Sequence, residues 1–83
     1  MGTFIIKGTA IEGTLTDNSI DNSPFVRVVA TAATNTITVK DGSTTLGTTL
    51  LHSAGDEITI EKHPKHTISS SDDISATAVG VGH

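Results

Sequence analysis

The sequence predicts an all-β fold: a small antiparallel β-sandwich or short barrel of about six to seven strands, with an N-terminal strand or arm. Three observations carry this expectation. β-branched residues dominate, apolar side chains recur with a period of two, and turn signals separate the runs at short intervals. Nowhere do apolar residues recur at three and four over a helical length, so no helix is expected.

Taken in order, Thr3–Leu15 has strand-like composition interrupted by Gly8 and Gly13, and Thr16–Pro24 is a loop by composition. Residues 1–23 therefore read as an N-terminal strand or arm with its loop, and residues 24–83 as the sandwich body. The N-terminal stretch is either an extra edge strand or an arm that pairs with a neighbouring subunit's exposed edge. In the second case Phe4, Ile5 and Ile6 make the interface. Phe25–Ala30 is continuously apolar enough for a central strand. In Asn35–Lys40, Ile37 and Val39 face one way while Thr36, Thr38 and Lys40 face the other; Asp56–Glu61 repeats the alternation with Ile58 and Ile60 inward. Asp41-Gly42-Ser43-Thr44 returns the chain into a strand over Thr45–Leu51, and Ser53-Ala54-Gly55-Asp56 returns it again. His63-Pro64 ends the next strand, because proline brings no ladder donor. A short strand at His66–Ser69, the polar turn Ser70–Asp73 and a last run at Ile74–Val79 complete the pattern. The expected core is Val26, Val28, Ile37, Val39, Leu46, Leu50, Ile58, Ile60, Ile74 and Ala76.

Eighty-three residues make one domain with a marginal core. Phe4 and Phe25 are its only aromatic residues, and there is no cysteine to staple the fold or supply a thiolate. A small domain without staples needs a partner surface, its own copies included, so the chain is expected to work in an assembly. The net charge of −4 argues against nucleic acid, which calls for a basic stripe and, in single strands, for stacking aromatics. No apolar run is long enough to span a bilayer, and the N-terminus lacks the basic and apolar regions of a signal peptide. Ile6 stands where myristoylation needs Ser or Thr, so the expectation is a product made in the cytosol, with no membrane partner.

The most chemically loaded stretch is Glu61-Lys62-His63-Pro64-Lys65-His66. Its two histidines supply at most two ligands of the three or four that zinc needs, and Lys62 and Lys65 would repel a cation. In an extended chain residues three apart face opposite sides, so only a turn at Pro64 would bring His63 and His66 together. The expectation is an exposed strand-end loop, with no metal and no cofactor. Asp72-Asp73 lacks the oxygen ligands of a calcium loop and reads as a solvated turn. No Gly-x-Ser-x-Gly elbow appears, and no histidine sits where it would activate a hydroxyl, so no catalytic residue is assigned and no enzyme is expected.

From Phe25 to Val79 the chain resembles short all-β structural proteins of tailed bacteriophages, marine ones in particular. The resembling pieces are Val26-Arg27-Val28, Ile37-Thr38-Val39-Lys40-Asp41, Leu46-Gly47-Thr48, Ile58-Thr59-Ile60-Glu61-Lys62 running into Pro64, Thr67-Ile68, and Ile74-Ser75-Ala76-Thr77-Ala78-Val79. The resemblance implies a virion component made in the host cytoplasm: a capsid decoration (cement) protein or a head or tail accessory. It also implies a homo-oligomer, with a trimer favoured, seated on the major capsid protein or another virion protein. In that pattern the segment after the lysine runs through proline to Thr-Ile without histidine, which makes His63 and His66 a local variation. Residues 1–23 fall outside the resemblance. An alternative of a different class is a small sandwich binding module that recognises a host glycan, with metal dependence through His63 and His66.

Overall fold

A computed structural model describes residues 3–82 of the chain, and the side chains of residues 5–80. The fold is an all-β sandwich of eight strands: β1 (Thr3–Ile6), β2 (Ile11–Gly13), β3 (Phe25–Ala30), β4 (Asn35–Asp41), β5 (Thr44–Leu51), β6 (Glu57–Glu61), β7 (Thr67–Ser70) and β8 (Ile74–Gly82). Two antiparallel sheets form it. In the five-stranded sheet the order is β1-β8-β3-β6, with β2 also pairing β8 beside β1; in the three-stranded sheet it is β5-β4-β7.

The inner faces follow from the alternation. Val26, Val28 and Ala30 of β3 lie opposite Ala78, Ala76 and Ile74 of β8, all six buried. Across the sandwich they meet Ile37 of β4, Leu51 of β5 and Ile68 of β7 in one apolar cluster. Ile58 and Ile60 of β6, together with Val39 and Ile11, pack on its margin. With few aromatics, the layer is filled by β-branched side chains that lose little freedom when ordered in a strand.

Two expected core residues are not in it. Leu46 and Leu50 are 52% and 43% exposed, because the inward positions of β5 are set by its partner strand. Asn35 and Ile37 of β4 are buried, and directly opposite pairs share a face; their partners Leu51 and Thr49 therefore turn inward and Leu50 outward. A β-bulge between Val39 and Lys40 leaves Leu46 as the residue of β5 with no partner in β4.

Residues 1–23 supply β1 and β2 to the larger sheet, and a loop that continues into the core. Leu15 and Ile20 are buried there, and Asn18 exchanges main-chain hydrogen bonds with Ile68 of β7. Ser70 N–H donates to Leu15 O, and Leu15 N–H donates to Ser70 Oγ, both at 2.9 Å, so the loop closes the outer edge of β7. The loop reaches this position through left-handed backbone at Ile20, Asp21 and Asn22, with φ of 52°, 57° and 54°. The tight return from β4 to β5 places Gly42 at φ 60° in the first central position of a two-residue loop, where a side chain would be strained.

Candidate functional site

The histidine-rich segment leaves β6 at Glu61. Lys62 continues the alternation of Ile58 and Ile60, which sends its side chain inward at the end of the sandwich; it is the buried member of the segment, 6% exposed. Its N–H donates to Pro24 O at 2.8 Å, and its ammonium donates to Pro64 O at 3.1 Å and His63 O at 3.5 Å. Burial pushes this ammonium below the ordinary lysine value, since desolvation penalises the charged form.

Beyond it the chain turns. His66 N–H donates to His63 O at 2.9 Å, closing a turn over Pro64 and Lys65 that brings the two imidazole rings to 5.1 Å between centroids. Nδ1 of His63 accepts from Lys65 N–H at 3.3 Å, and Nε2 of the half-buried His66 lies 3.8 Å from Asp41 Oδ2. No group of three His, Cys, Asp or Glu side chains able to hold a metal gathers among the described residues. The turn therefore offers two imidazoles and one distant carboxylate beside a buried ammonium, a poor electrostatic setting for a divalent ion.

The serine and threonine hydroxyls nearest to polar partners work for the fold. Ser23 Oγ donates to Phe25 O, Thr14 Oγ1 to Asp73 and Ser69 Oγ to Asp17. None of these three pairs couples a hydroxyl to an imidazole base. On the outer face of the larger sheet an open depression of about 290 Å³ is lined by Ile6, Arg27, Thr77 and Val79. Arg27 is paired to Glu57 of β6. Val79 is buried although it faces away from the sandwich interior, on the same face as its partners Phe25 and Ile6.

The remaining chemistry lies on the sheet edges. β1 pairs its own β8, with Phe4, Ile5 and Ile6 opposite Val81, Gly80 and Val79. The side chain of Phe4 lies outside the described residues, while Ile5 and Ile6 are 50% and 76% exposed. On the smaller sheet, β5 is an edge strand of eight residues without a charge or a proline. No segment among the described residues pairs with its outer side. The other two edges are managed: β6 carries Glu57 and Glu61, and β7 is covered by the loop from Leu15 to Asn18. Sequence reasoning singled out Ile5 and Ile6 as contact residues of an arm but missed β5, whose only signal was an uncharged run with leucines four apart. The chain matches no protein-family model, no curated protein and no solved structure.

Proposed function

We propose that the chain is a non-enzymatic structural protein of a virion, a decoration or cement subunit that oligomerises and docks on shell proteins through its strand edges. One observation supports this reading. The large apolar side chains left exposed among the described residues are Ile5, Ile6, Leu46 and Leu50, and all four lie on the two edge strands β1 and β5. A monomer gains nothing by leaving apolar side chains beside unpaired main-chain groups, whereas an assembly subunit buries both at once. The small core of the chain makes that additional burial valuable for stability. That the partner is a virion protein rests on the resemblance alone.

The test is composition of purified particles. Mass spectrometry of nuclease-treated, density-purified virions of the phage carrying the gene should find the chain in many copies, stoichiometric with a shell protein. Its absence from the particles, with the chain present only in the infected-cell lysate, would end the virion reading.

A further inference from the structure

We draw no further inference here: the strongest candidate, the outer edge of β5 with its exposed Leu46 and Leu50 on the smaller sheet, carries none because nothing in the structure shows what covers it.

Discussion

The side-chain amide of Asn35 is sealed from solvent against the main chain of Asp73, with Nδ2 donating to the Asp73 carbonyl at 2.9 Å. Its Oδ1 accepts from Asp72 N–H at 3.1 Å, so one buried side chain satisfies both polarities of the turn between β7 and β8. That turn carries the chain from the smaller sheet to the larger, and Asn35 ties it to the start of β4. Asn35→Ala should cost roughly 2–4 kcal/mol, since it removes two hydrogen bonds and opens a space beside main-chain groups. Asn35→Asp keeps the shape but sets a carboxylate against the Asp73 carbonyl. Its carboxyl should titrate above the usual range, and the variant should regain stability as pH falls, because the protonated acid can donate where the amide did. Urea unfolding of both variants between neutral and acid pH measures this; equal loss at every pH would contradict it.

Thr34 holds φ at 50°, a region that β-branched residues rarely enter, and its side chain is exposed. The left-handed backbone costs about 1–2 kcal/mol without glycine, and the extra unfolded-state freedom of glycine returns about half of that. Thr34→Gly should therefore stabilise by up to about 1 kcal/mol, raising Tm by about 4–8 °C in a domain of this size. Ile20 has the same backbone at φ 52° but is fully buried, and there the balance reverses. Ile20→Gly loses about 2–5 kcal/mol of core packing, which exceeds the strain released. Calorimetry on the pair should show opposite shifts in Tm.

Much of the fold was legible because strands leave a period-two record. β3, β4, β6 and β8 were readable from Val26, Ile37, Ile58 and Ile74 onward; the period left a sandwich and a short barrel both open, and two packed sheets are what forms. The phase of β5 was not readable, since Leu50 and Leu51 are adjacent and either could point inward. The choice depends on Asn35 standing opposite Leu51 and on a bulge at Leu46, facts of pairing that no local pattern contains. Leu15 and Ile20 were hidden for a related reason. A loop has no periodicity, so burial within it shows only in three dimensions. Asn35 reads as polar, and its burial requires knowing that Asp72 and Asp73 lie across from it. Of the candidate site, the meeting of His63 and His66 was readable as a condition on a turn at Pro64, and the inward path of Lys62 was not.

The buried ammonium of Lys62 gives a pH dependence with a definite sign. Its folded value lies below the ordinary 10.5, so between the two values the unfolded chain binds more protons. Stability from this group is therefore lowest while Lys62 is charged in both states, rises as pH climbs through the folded value, and levels off above 10.5. Lys62→Met, of similar length and apolar, removes the titration while the carbonyls of His63 and Pro64 turn to water. The difference in unfolding free energy between variant and parent should favour the methionine variant most at neutral pH and shrink as pH is raised toward the lysine range. A difference independent of pH would mean that burial of Lys62 carries no desolvation cost.

Truncation separates the two roles of the N-terminal segment. Removing residues 1–7 takes away β1, whose described side chains Ile5 and Ile6 are exposed, so the sandwich should remain folded while attachment to particles weakens. Removing residues 1–15 also deletes β2 and Leu15, uncovering β8 and part of the β7 edge, and should unfold the chain. Ile6→Lys is the finer probe. At 76% exposure it should change stability by less than about 0.5 kcal/mol, yet lower co-sedimentation with virions. Unchanged co-sedimentation of both Ile6→Lys and the seven-residue truncation would remove β1 from the docking surface.

The histidine turn provides a control for every assembly measurement. Nδ1 of His63 accepts from Lys65 N–H, and His66 reaches Asp41 only at 3.8 Å, so both rings act within the turn and neither lies on β1 or β5. The double variant His63→Ala, His66→Ala should keep the parent's oligomeric mass and its binding to particles, with a stability loss no larger than about 1 kcal/mol from the missing contacts. Treatment with a strong chelator should likewise leave the light-scattering mass unchanged, since two imidazoles and a remote carboxylate flanked by Lys62 and Lys65 give a weak ligand set. Dissociation on chelation, reversed by added zinc and abolished in the double variant, would instead make the two imidazoles the joint between subunits, with ligands completed by a second copy.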